Sequence, residues 1–108
     1  MRARFILLPF LLLAAPVHAQ DAADDFTLKL KGDKFSPDPL TVPAGQKVKL
    51  TVKNETAATA EFESADFSRE KVVQPGSQIV VNIGPLDAGK YTYVNDFHRE
   101  TSGTIIAK

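Results

Sequence analysis

The sequence predicts an all-β protein, a small sandwich or barrel of antiparallel strands in one domain. Three observations carry this. Apolar and polar residues alternate at period two in four separate stretches, the pattern of strands with one buried face. The stretches are punctuated by Pro43-Ala44-Gly45, Pro75-Gly76, Gly84-Pro85 and Ala88-Gly89, all residues that turn a chain. No helical period of useful length follows the N-terminal leader. Short strands with turns at this spacing favour a sandwich or barrel.

Residues 1–19 have the form of an export signal. Met1, Arg2 and Arg4 make a positive start, Phe5 to Ala15 is apolar, and Val17-His18-Ala19 is a small-x-small cleavage site. The apolar run is shorter than the ~20 residues a membrane span needs. Cleavage after Ala19 leaves residues 20–108, which is 108 − 19 = 89 residues, enough for one domain. A polar leader, Gln20 to Asp25, comes first. In the next stretch Phe26, Leu28 and Leu30 alternate with Thr27, Lys29 and Lys31. Val48, Leu50 and Val52 then alternate with lysines and Thr51. Ile79, Val81 and Ile83 follow, and Tyr91 and Tyr93 alternate with Thr92 and Val94. Ser64 to Lys71 lacks alternation and is expected to be a loop or short turn of helix crossing between sheets. Gly103 to Lys108 closes the domain.

Charge and sulfur content narrow the function classes. The whole chain carries 13 basic and 13 acidic residues. Loss of Arg2 and Arg4 leaves 11 − 13 = −2, which is not the charge of a nucleic-acid binder. There is no cysteine, and the only methionine is Met1. Disulfides are excluded, so the core alone must hold the domain. His18 leaves with the signal, so His98 is the only histidine of residues 20–108. No phosphate loop, nucleophile elbow or Cys/His pair is present, and one histidine among acids makes a poor triad base.

A family resemblance rests on a long framework. Phe35-Ser36-Pro37, Leu40-Thr41-Val42-Pro43-Ala44-Gly45 and Val48 to Asn54 resemble the N-terminal half of cupredoxins. Pro75-Gly76, Gly89-Lys90-Tyr91-Thr92-Tyr93 and the closing strand complete it. Within that superfamily, Ala60-Glu61-Phe62-Glu63, Arg69 to Val73, Asp96-Phe97-His98, Thr101 and Gly103 resemble the EfeO-type cupredoxin-like domains. The resemblance implies a Greek-key β-sandwich. It also implies a stand-alone periplasmic component of an FtrABCD-like ferrous iron system, working beside an inner-membrane iron permease and other periplasmic uptake proteins.

The same resemblance aligns the metal loop. Asn95 falls at the family's cysteine position, His98 at its histidine, and Gly103 near its methionine. Glu61-Phe62-Glu63 matches the stretch that carries the other histidine. Blue copper needs a thiolate and two imidazoles, so that chemistry is excluded. Glu61 and Glu63 are two apart and share one strand face, while Phe62 points into the core. Two carboxylates on one face repel unless a cation lies between them. The expected metal set is Glu61 and/or Glu63 with Asp96 and His98, holding Cu(II) and/or Fe(II)/Fe(III); Glu100 is a further candidate. One imidazole and two or three carboxylates suit such ions. Arg69 and Glu70 are expected to form an ion pair, with a ligand role for Glu70 as the lesser alternative; Tyr91 and Tyr93 are expected to be core aromatics, and the sequon Asn54-Glu55-Thr56 to be chance. The alternative function is a metal-free module whose acidic face docks on a permease or another basic periplasmic partner.

Overall fold

The computed structural model describes residues 24–108. The expected export signal and cleavage site lie outside the described residues. Nine strands form, and no helix is present among the described residues. They are β1 (Asp24–Lys31), β2 (Lys34–Ser36), β3 (Leu40–Val42), β4 (Val48–Asn54), β5 (Ala60–Ser64), β6 (Arg69–Val73), β7 (Gln78–Ile83), β8 (Gly89–Asn95) and β9 (His98–Ala107). One sheet has the order β2-β1-β4-β7 and the other β3-β9-β8-β5-β6. The chain moves between the two sheets at β3, β4, β5, β7 and β8, a Greek-key sandwich as expected.

The sheets are mixed, which corrects the expectation of a purely antiparallel fold. β1 runs parallel to β4 from Asp24↔Val48 to Leu30↔Asn54, and β3 runs parallel to β9. The cause is connectivity. After the β1–β2 hairpin the chain crosses to the second sheet as β3, so β4 re-enters the first sheet in the direction of β1. Asp24 and Asp25 belong to β1 rather than to a leader.

The alternation puts one face of each strand inside. Leu28, Leu30, Val48, Leu50, Val52, Val81 and Ile83 come from the first sheet, and Val42, Phe62, Val73, Tyr93 and Ile105 from the second. Each fully buried aliphatic or aromatic side chain contributes roughly 1.5–3 kcal/mol. Tyr93 is the hub: its ring stacks on Phe62 at 5.3 Å and meets Phe35 edge-on at 4.9 Å. Tyr91 stacks on Phe67 at 5.2 Å at the margin, so both tyrosines are packing residues.

Ser64 to Lys71 is not a crossing. Ser64 ends β5, residues 65–68 turn, and Arg69 begins β6, making a hairpin within one sheet. Ser68 takes a left-handed φ of 53° in that turn. Arg69 and Glu70 do not pair, because successive strand residues point to opposite faces. Arg69 Nε donates instead to Asn82 O at 3.3 Å, and Lys71 Nζ donates to Val80 O at 2.9 Å. Both acceptors lie on β7 of the other sheet. The sequon asparagine is buried and engaged, with Nδ2 donating to Ala58 O and Val73 O, so no glycan can reach it in the folded state.

Candidate metal centre

Two strands and one turn, β5, β6 and the β8–β9 connection, present carboxylates on the outer face of the five-stranded sheet. β5 lies between β6 and β8. Its alternation sends Phe62 inward and Glu61 and Glu63 outward. Glu63 is paired with Glu70 of β6, and Glu61 with Val72. The four-residue turn fixes that register, so Glu70 shares the face of Glu61 and Glu63.

Asn95 places the fourth acid. It is buried, and its Oδ1 accepts from Glu61 N at 3.0 Å and from Phe97 N at 3.3 Å. Asp96 N donates to Glu61 O at 2.8 Å. These bonds tie the Asp96-Phe97 turn to β5 and set Asp96 beside Glu61. The residue at the expected thiolate position is therefore a structural brace.

The β8–β9 register explains the rest. Pairing runs regularly to Val94↔Ser102 and then jumps to Asn95↔His98. Arg99, Glu100 and Thr101 make a bulge, which re-aims side chains. Arg99 Nη1 reaches Glu63 Oε2 at 3.2 Å and also contacts Asp96 Oδ1. His98 Nδ1 lies 3.7 Å from Glu100 Oε1, with the histidine side chain 62% exposed. His98 and Glu100 line a cavity of about 210 Å³ with Asn95, Thr56, Thr59 and Thr101.

Of the expected ligands, the structure therefore brings together Glu61 and Asp96, with Glu63 adjacent. His98 stands outside that group. Glu70 joins it: one oxygen each from Glu61, Glu70 and Asp96 lie within 4.8 Å of one another, the one such group among the described residues. Sequence reasoning preferred to pair Glu70 with Arg69 and kept it as a ligand only as the lesser alternative. The signal for the correct placement was the short turn between two strands, which puts residues 63 and 70 opposite each other.

The electrostatics are those of carboxylates too close to ionise together. Glu61 is pushed up to about 7, first by the neighbouring Glu70 carboxyl, then by burial and by the charges of Glu70 and Asp96. Glu63 is also raised, chiefly by its contact with Asp96 and despite Arg99. Asp96 is lowered because Glu63 and Arg99 bond to its charged form. Asp96 is thus the acid that ionises most readily, while Glu61 and Glu63 hold their protons more tightly than ordinary carboxyls. Glu61 Oε1 is sealed from water and has no donor of its own. A buried carboxylate oxygen in that state calls for a proton or a cation.

A pH dependence follows. A carboxyl with a raised folded value binds its proton more tightly folded than unfolded, so stability falls as pH rises between the two values. For Glu61 the window runs from the ordinary 4.5 to about 7. The metal-free protein is expected to melt at a higher temperature at pH 5.5 than at pH 8, and Glu61→Gln to flatten that slope. Calorimetric melts across this range check it; a wild-type melting temperature that rises with pH would contradict it.

Relatives agree with this framework. The profile of the cupredoxin-like domain family matches residues 4–107. An uncharacterized protein of Rickettsia prowazekii is 35% identical over 91 residues, spanning 84% of this chain and 73% of that protein. Auracyanin A of Chloroflexus aurantiacus, a "blue" copper protein, superposes with a TM-score of 0.65 at 18% identity, over 78% of this chain and 98% of its own. Amicyanin of Paracoccus versutus gives 0.62 at 15% identity, over 83% and 87%. The metal-binding domain of the Streptococcus pneumoniae Cu(I)-exporting ATPase CopA, with Cu(I), gives 0.68 at 9% identity, over 78% and 84%. The chain belongs to the cupredoxin-like domain family.

The family's thiolate copper does not fit these residues. Asn95 cannot supply a thiolate, and there is no cysteine in the sequence. Gly103 has no ligand atom, and a side chain there would point at the Tyr93 ring. An oxygen-ligated ion fits better. Three carboxylates without sulfur or nitrogen suit a hard or borderline cation such as Fe(II), Fe(III) or Mn(II).

Proposed function

We propose that this is an exported, periplasmic metal-binding protein that serves ferrous iron uptake, taking iron on Glu61, Glu70 and Asp96. The observation that carries the reading is the sealed, donorless Oε1 of Glu61, a residue grouped within 4.8 Å of the Glu70 and Asp96 carboxylates. The framework resemblance to EfeO-type domains supports the transport context and a permease as the recipient. Anionic oxygen ligands favour Fe(III) over Fe(II), so the site would ease loss of an electron to an external acceptor and hold the product. Copper at the same oxygens, or at the His98 end, would be an ancillary ion.

Anaerobic calorimetric titration with Fe(II), run beside Cu(II), tests the site. Wild type is expected to bind one ion. Glu61→Gln is expected to lose more than about 100-fold in affinity, since even indirect partners of a metal site contribute 10–100-fold. His98→Ala is expected to bind Fe(II) as wild type does. Loss on His98→Ala with Glu61→Gln unaffected would move the ion to the His98 cavity.

A second reading has its own observation. Among the described residues, Phe97 and Val72 are the large apolar side chains most exposed, at 49% and 46%, and both border the acidic face. Such a surface suits docking on a basic, partly apolar partner. A wild-type protein that binds no metal ion would favour this module.

A further inference from the structure

We propose that Arg99, anchored on Glu63, is a built-in counter-cation that competes with the metal for Asp96, and so sets which ions the site accepts. The inference rests on the metal reading above. The site is more than a cluster of acids: Glu61 Oε1 is sealed from water with no partner, and one Glu61 oxygen lies within 4.8 Å of an oxygen of Glu70 and one of Asp96.

Arg99 is placed to compete. Its Nη1 binds Asp96 Oδ1, an acid of the metal group, and lies 3.2 Å from Glu63 Oε2. It is the one cation recorded in an ion pair with these acids among the described residues. Formal charges on Glu61, Glu63, Glu70, Asp96 and Arg99 sum to −4 + 1 = −3 when all are ionised. A divalent ion at the carboxylates would therefore repel the guanidinium while offering the acids more charge in less volume. Arg99 can yield. It lies in the β9 bulge, outside the regular pairing, and its side chain is 64% exposed. The guanidinium leaves for water without breaking a strand pair.

The competition discriminates among ions. A cation must bind the carboxylates more strongly than a fork of N–H donors does. Fe(II) and Mn(II) release water readily and form inner-sphere carboxylate bonds. Mg(II) dehydrates reluctantly and keeps several waters, so it does not displace Arg99. Metal-free protein holds Arg99 inward; metal-loaded protein displays it beside Phe97, adding a positive charge to the hairpin tip.

The test compares wild type with Arg99→Gln and Arg99→Lys. Mn(II), anaerobic Fe(II) and Mg(II) are titrated, and melting is followed with and without Mn(II). Arg99→Gln is expected to bind Mn(II) and Fe(II) about three- to tenfold tighter, the scale of losing two exposed ion pairs to a competitor. It is also expected to acquire Mg(II) binding. Its metal-free melting temperature falls, while that with saturating Mn(II) stays near wild type. Arg99→Lys is expected to lie between the two. Unchanged affinities with equal loss of melting temperature in both states would make Arg99 a brace and overturn the inference alone. Absence of Mn(II) and Fe(II) binding in wild type would overturn the metal reading, and this inference with it.

Discussion

Gly103→Ala is expected to destabilise the protein by about 3 kcal/mol, the upper end of the ordinary overpacking cost. The reason is geometric. A Cβ at residue 103 would stand 2.1 Å from Tyr93 Oη and 2.4 Å from Cζ. Gly103 is the cross-strand partner of Tyr93, so the ring lies flat over the bare glycine. The ring has nowhere to go, since Phe62 stacks on one side and Phe35 meets its edge. For a domain of this size the melting temperature should fall by roughly 12–24 °C, at ~4–8 °C per kcal/mol. Tyr93→Phe is the companion variant. The Tyr93 hydroxyl is buried without a partner, and burial, helped by the charge of Asp38, pushes its pKa above the ordinary phenol range. Its removal is expected to be near neutral or stabilising. Combined with Gly103→Ala it should restore only part of the loss, because Cζ remains too close. Urea denaturation of the three variants checks this, and a Gly103→Ala protein as stable as wild type would refute the packing account.

Asn54→Ala is expected to cost about 2–4 kcal/mol, because it removes four hydrogen bonds, one of them to the carbonyl of buried Val73. Asn54 ends β4 and is 1% exposed. Its Nδ2 donates to Ala58 O at 2.8 Å and to Val73 O at 3.0 Å. Its Oδ1 accepts from Thr56 N at 3.0 Å and from Thr56 Oγ1 at 2.6 Å. One amide thus joins β4, the 55–59 loop and the end of β6. Asn54→Asp keeps the acceptor half but turns a carboxylate oxygen toward two carbonyls, so it should cost at least as much near neutral pH. Chemical denaturation gives the difference in stability. Hydrogen exchange should also show faster exchange at Thr56 and across the loop. Protection of that loop unchanged in Asn54→Ala would contradict the bracing role.

Much of the fold was legible because alternation is a local property. Leu28, Leu30, Leu50, Val52, Val81 and Tyr93 were placed on strand faces by period alone, and all are buried. The direction of β1 against β4 was not legible. It depends on β3 leaving for the other sheet, a long-range event that period two does not encode. The Ser64–Lys71 hairpin was missed because β6 is an edge strand. Its exposed charges (Arg69, Glu70 and Lys71) erase the alternation. That miss propagated to the candidate site, where Glu70 was preferentially assigned to Arg69 rather than to Glu61. The placement of His98 depended on a bulge at Arg99 to Thr101, and bulges leave no compositional mark in acidic, polar loops. Asn95 was read only as a lost thiolate, although its side chain positions both Glu61 and the turn that carries Asp96.

The two lysine and arginine contacts across the open side of the sandwich have a further effect. β7 is the last strand of its sheet, and an edge of this kind invites pairing with a foreign chain. Val80 O and Asn82 O are acceptors that such a chain would use. Lys71 Nζ and Arg69 Nε already occupy them. A newcomer would have to displace two charged donors held in place by their own strand. The same contacts that close the sandwich thereby guard it against self-association, a useful property for a chain with no cysteine to lock its fold covalently.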